Sequence, residues 1–116
     1  MASKIVNADY VLENLDKIHI VDVRPIEMYE NGHIPNAKSV PLMAAKEEGG
    51  DVAAIIEKSV EALGIKKDNP IIIYCHDGGL AHEACDLLES KGFTEVYCYE
   101  GSWINWIMDS SRPVER

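Results

Sequence analysis

The runs Ile18-His19-Ile20-Val21-Asp22-Val23 and Ile71-Ile72-Ile73-Tyr74-Cys75 constrain the fold more than anything else in the chain. Both are short, β-branched and nearly continuous in apolar character, the pattern of strands covered on both faces. Strands of that kind need helices above and below them, so the two runs are expected to lie side by side inside an α/β sheet. Glu95-Val96-Tyr97-Cys98-Tyr99 reads as a third strand, and a shorter one is expected around Ser39-Val40. Apolar residues recur at helical spacing at Tyr10, Val11, Leu12 and Leu15, and again at Val52, Ile55, Ile56, Val60 and Leu63. Asn7 and Asp51 suit helix N-caps, and Gly64 and Gly92 fall where a left-handed C-terminal cap is wanted. Glu47-Glu48-Gly49-Gly50 reads as a solvated loop, and Ser110-Ser111-Arg112-Pro113 as the stop of the last helix. Alternating strands and helices imply parallel pairing, so the expected fold is α/β, about five strands, mainly parallel, with helices on both faces.

With 116 residues and 47% hydrophobic content, one domain over 1–116 is expected, with a core large enough to need no disulfide staples. The three cysteines are an odd number with no Cys-x-x-Cys pair, which favours thiols over a disulfide framework or a zinc site. No metal and no cofactor is expected. The net charge of −9 argues against a nucleic-acid partner, because phosphate binding needs concentrated Lys and Arg. No apolar run approaches a bilayer span, and Met1-Ala2-Ser3-Lys4 lacks the apolar segment of a secretory signal. The expectation is a cytoplasmic protein without membrane contact, monomeric by default.

The chemistry is concentrated in Tyr74-Cys75-His76-Asp77-Gly78-Gly79-Leu80-Ala81, where an apolar strand turns into a helix carrying Ala84, Leu87 and Leu88. Such turns lie at the carboxyl edge of an open α/β sheet, where binding sites form. Paired glycines let the backbone curl so that successive N–H groups point at the cysteine sulfur, and the helix adds its positive end. This arrangement stabilises a thiolate or a persulfide without a metal. A small buried hydrophobe ending a core strand is the competing reading of Cys75.

Further segments carry a family likeness. Asp22-Val23-Arg24-Pro25-Ile26-Glu27-Met28-Tyr29, then Gly32-His33-Ile34-Pro35-Asn36-Ala37 and Val40-Pro41, resembles the Asp-x-Arg, Tyr, Gly-His-Ile-Pro-x-Ala series of rhodanese-like domains. Cys75-x-x-Gly78-x-x-Ala81 is similar to that family's active-site loop, and Tyr99-Glu100-Gly101-Ser102-Trp103-x-x-Trp106 to the closing motif of its thiosulfate and mercaptopyruvate sulfurtransferases. The resemblance spans about residues 5 to 110 and implies a sulfurtransferase or persulfide carrier. Cys75 would take a sulfane sulfur from a small donor or a protein persulfide and pass it to a thiol or cyanide. His76, Asp77, Gly78, Gly79, Leu80 and Ala81 would form the loop that holds it, while Asp22 and Arg24 would brace that loop by charge-assisted hydrogen bonds. His33 is taken as structural, satisfying a backbone carbonyl in the Gly-His-Ile-Pro turn.

The pattern also departs from the family. Thiosulfate-using members usually place Arg or Lys in the loop, whereas this chain has His76, Asp77 and Leu80 there, and Met28 where others have Glu or a substrate-holding Arg. The loop without a cation favours a protein persulfide or a small thiol as donor, or else a rhodanese-like interaction module with negligible turnover. Asp77 is expected to face solvent, and protonation of His76 would supply the missing cation. Cys75-His76-Asp77 is no triad, since three successive side chains on a tight loop diverge. A cysteine phosphatase or arsenate reductase would need Arg at the position of Ala81. Cys85 and Cys98 are read as core packing, with a resolving thiol as the alternative. Trp103 and Trp106 share a helical face and either cap the core or rim the pocket.

Overall fold

A computed structural model describes residues 4–116; Met1, Ala2 and Ser3 of the N-terminal segment considered above lie outside the described residues. The order is β1 Lys4–Val6, α1 Ala8–Glu13, β2 His19–Asp22, α2 Ile26–Asn31, β3 Lys38–Ser39, α3 Leu42–Glu48, α4 Val52–Ala62, β4 Ile71–Tyr74, α5 Gly79–Ser90, β5 Val96–Tyr99 and α6 Ser102–Trp106. The five strands form one sheet in the order β1-β5-β4-β2-β3, with every strand pair parallel. β2 and β4, the two apolar runs, are neighbours as expected, with Asp22 opposite Tyr74.

Side-chain alternation along β4 divides the interior into two cores. Ile71, Ile73 and Cys75 pack with Leu42, Ala45, Ile56, Val60, Ala84, Cys85 and Leu88 from α3, α4 and α5. Ile72 and Tyr74 face the other way, against Val11 of α1, Trp106 of α6, Ile34 and Tyr99. Cys75 therefore leaves the sheet on the α5 side, and the side chain of Tyr74 on the α6 side. Asn7 Oδ1 accepts from the Tyr10 amide at 2.9 Å and Asp51 Oδ1 from Ala54 at 3.1 Å, the two N-caps anticipated. Among the described residues, no helix is long and apolar enough to cross a membrane.

Four local expectations are corrected. Glu47 and Glu48 belong to the last turn of α3, because Leu42 and Ala45 hold that helix on the sheet; only Gly49 and Gly50, at φ +79° and +82°, make the turn. β1 adds a strand that the sequence pattern did not reveal, since its three residues sit at the sheet edge and carry no alternation. α6 stops at Trp106, well before Ser110. Leu12 and Leu63 are exposed, α1 and α4 having turned Val11 and Val60 inward instead.

Candidate active site

Cys75 follows β4 directly, and its sulfur accepts N–H hydrogen bonds from Gly78 at 3.0 Å and Ala81 at 3.3 Å. Gly78 reaches inward because its backbone is left-handed, φ +107°, and because its α-carbon lies against the Glu100 carbonyl, where a Cβ would collide. Ala81 is in the first turn of α5, so the sulfur caps that helix and takes its positive end. The Cys75 side chain is 1% exposed, yet its polar neighbours are amides rather than aliphatic carbons alone. The donor set differs from the expected run of amides over residues 76–80. Gly79 instead gives its N–H to Asp77 Oδ1 at 3.2 Å, and Ala81 completes the pair on sulfur. Asp77 is exposed, and Leu80 packs part-buried against the α5-side core.

A second segment fixes the carbonyl side of the loop. The first amides of α6 donate outward, Trp103 to the Cys75 carbonyl at 3.0 Å and Ile104 to the His76 carbonyl at 3.1 Å. Ser102 Oγ accepts from the Cys75 amide at 3.1 Å, donates to the Tyr99 carbonyl at 2.9 Å, and stands 3.8 Å from the Cys75 sulfur. Ser102 is buried at φ +57°, a conformation that a non-glycine residue holds only when its surroundings over-determine it. Sequence reasoning gave Ser102 no role; the available signal was a serine opening the last helix inside the Tyr99-to-Trp106 motif. Ser102→Ala would leave the Cys75 N–H buried without a partner, and a denaturant titration should show a loss of about 1–3 kcal/mol.

Asp22 and Arg24 form a buried pair, 0% and 1% exposed, which excludes a surface ion pair. Arg24 Nη2 donates to Asp22 Oδ2 at 2.7 Å and to the Gly32 carbonyl at 2.6 Å, and Nε reaches both Asp22 oxygens. These bonds do not go to the Cys75 loop, contrary to expectation, because the pair lies on the α6 side of the sheet. Arg24 reaches the loop only by way of Trp103, whose ring sits 4.5 Å from the guanidinium and whose amide donates to the Cys75 carbonyl. Trp103 thus rims the site while Trp106 is buried in the core, its Nε1 donating to the Pro113 carbonyl at 2.8 Å. Arg24, Met28, Asn31, Gly32, His76 and Trp103 line a cavity of about 200 Å³ beside the loop. His33 is structural: Nδ1 meets the Tyr29 carbonyl at 3.0 Å, and the ring stacks on Tyr29 at 3.9 Å.

Behind the loop, Cys85 and Cys98 are buried in the α5-side core, and none of the three cysteines is in a disulfide. A hydrogen bond from Cys85 draws Cys98 below the ordinary thiol range against the effect of burial, with His82 adding to the lowering. His82 Nε2 pairs with Glu100 at 2.8 Å, which holds the imidazole above its usual value. That contact joins the first turn of α5 to the turn before α6.

The family model described as "Rhodanese-like domain" matches residues 7–109. The thiosulfate sulfurtransferase GlpE of Pseudoalteromonas translucida is 32% identical over 119 residues, covering all of both chains. The adenylyltransferase and sulfurtransferase UBA4 of Saccharomyces cerevisiae is 31% identical over 105 residues, 90% of this chain, which spans 23% of that larger relative. Human single-domain sulfurtransferase TSTD1 superposes with a TM-score of 0.74 at 21% identity, over 93% of this chain and 98% of the other, which shows a common fold.

Proposed function

We infer, since the chain belongs to the rhodanese-like domain family, that it is a sulfurtransferase or persulfide carrier working through Cys75. The observation that carries the role of Cys75 is the pair of backbone amides, Gly78 and Ala81, directed at its sulfur from the start of α5. The thiolate attacks the outer sulfur of a donor; a new S–S bond forms, and the donor's bond to that sulfur breaks with its electron pair leaving on the donor. In the resulting persulfide the negative charge moves to the outer sulfur, one S–S bond beyond the atom that the Gly78 and Ala81 amides hold at the start of α5. A thiol or cyanide then attacks the outer sulfur and returns Cys75 to a thiolate. Ser102 and the first amides of α6 position the loop from the carbonyl side, and Asp22 and Arg24 hold Trp103 in place. Thiols at all three cysteines suit a reducing, cytoplasmic setting.

The test is intact mass after incubation with thiosulfate, mercaptopyruvate or a polysulfide, followed by cyanide. The wild-type chain should gain one sulfur atom and lose it as thiocyanate, and Cys75→Ser should gain none. Failure of every donor to load the wild type would leave an interaction module as the better reading. Equal loading of Cys75→Ser would move the chemistry to Cys85 or Cys98.

A further inference from the structure

We propose that the Ser102 hydroxyl is a switchable donor to the Cys75 sulfur, joining the Gly78 and Ala81 amides when that atom carries charge and turning away once the persulfide has formed. The inference deepens the persulfide reading of Cys75 and rests on it.

Ser102 is 0% exposed and opens α6 at φ +57°, a strained backbone for a buried non-glycine residue. Its oxygen accepts the Cys75 amide at 3.1 Å, which uses a lone pair and leaves the hydroxyl proton free to turn. Two acceptors lie within reach of that proton, the Tyr99 carbonyl at 2.9 Å and the Cys75 sulfur at 3.8 Å. Exchange between them needs only rotation about the Cβ–Oγ bond, so the bond from the Cys75 amide stays in place.

Charge decides which acceptor is taken. Against a neutral sulfur the carbonyl prevails, because it is nearer and a neutral sulfur accepts weakly. An anionic sulfur reverses the order, since a hydrogen bond to an ionised group is about twice as strong as one between neutral groups. Cys75 and Tyr99 are each 1% exposed, so bulk water does not replace the hydroxyl at either. Loading moves the charge to the outer sulfur and returns the proton to Tyr99. Discharge brings the charge back to the Cys75 sulfur, and the proton follows it. A donor of this kind assists the step in which the Cys75 sulfur leaves and restrains the step in which it attacks.

Ser102→Ala and Ser102→Gly both remove the hydroxyl, and glycine also suits the φ +57° backbone, so the second variant should fold even where the first does not. Each half-reaction of the whole chain is followed in a single turnover on the alkaline plateau, where loading no longer rises with pH. Loading is the gain of one sulfur atom from a polysulfide, read by intact mass after rapid quenching. In discharge the cyanide carbon attacks the outer sulfur, a C–S bond forms, and the S–S bond breaks with its electron pair returning to Cys75 as thiocyanate leaves. The variants should load at least as fast as the wild type and discharge about three- to tenfold more slowly. A purely structural Ser102 would slow both half-reactions together, because the Cys75 amide that it holds serves both. Slower loading, or discharge as fast as in the wild type, would overturn the switch and leave the persulfide reading standing. Absence of sulfur on Cys75 of the wild type would instead remove the parent reading.

Discussion

Gly78→Ala is expected to cost about 2–6 kcal/mol of stability and to abolish sulfur loading on Cys75. Two separate penalties meet at this position. An alanine at φ +107° carries the strain of a left-handed L-residue, about 1–3 kcal/mol. Its Cβ would also strike the Glu100 carbonyl, a backbone atom held by the turn between β5 and α6, and such overpacking typically costs a further 1–3 kcal/mol. The backbone relieves both only by swinging the Gly78 amide away from the sulfur. Gly64→Ala is the control, since it has a similar φ of +86° with nothing within 4 Å. It should show the strain without the collision, a melting point lowered by several degrees, and full sulfur loading. For Gly78→Ala the drop should be roughly 10–20 °C by thermal denaturation. A Gly78→Ala chain that loads sulfur at the wild-type rate would show that its amide is dispensable.

The contrast between these two glycines also marks how far the sequence could be read. Both were recognisable as turn residues, but only coordinates separate a glycine in open space from one pressed on a distant carbonyl. The central strands were legible because residues 20–23 and 71–75 are buried on both faces, and burial leaves its mark on composition. β1 was not, since three edge residues have too few neighbours to be constrained. At the site, the strand-to-helix turn and Cys75 were visible as local pattern. The choice of Ala81 over Gly79 as second donor was not, because it depends on Asp77 capturing the Gly79 amide. Ser102, 27 residues from Cys75, meets it only through the parallel pairing of β4 with β5. Long-range contacts of this sort have no local signature.

The same limit explains why the contacts that Asp22 and Arg24 make are not the ones expected of them. Their separation by one residue makes the pair, and the sheet then decides which side it lies on. Asp22, opposite Tyr74, turns to the α6 side, whereas Cys75, one residue further along β4, turns to the α5 side. A direct bond from the pair to the sulfur loop would have to cross the sheet. The chain of contacts runs through Trp103 instead, from guanidinium to indole to the Cys75 carbonyl.

Asp22→Ala should therefore be among the most damaging single substitutions away from the sulfur. It strands a guanidinium that is 1% exposed and removes the acceptor of the Arg24 amide, so a loss of about 3–5 kcal/mol is expected in urea titration. Pairing it with Arg24→Met should recover much of that loss, because a buried ion pair replaced by apolar groups is often close to neutral, whereas half a pair is not. Sulfur transfer should behave differently. The double variant still lacks the cation under Trp103 and the donor to the Gly32 carbonyl, so the indole loses its seat beside the loop. Its stability should approach the wild type while kcat/KM for sulfur transfer stays depressed by about tenfold or more, the order expected for losing a stacked, charge-assisted contact. Recovery of stability and activity together would mean that the pair is only filling space; recovery of stability alone assigns it to positioning the wall of the site.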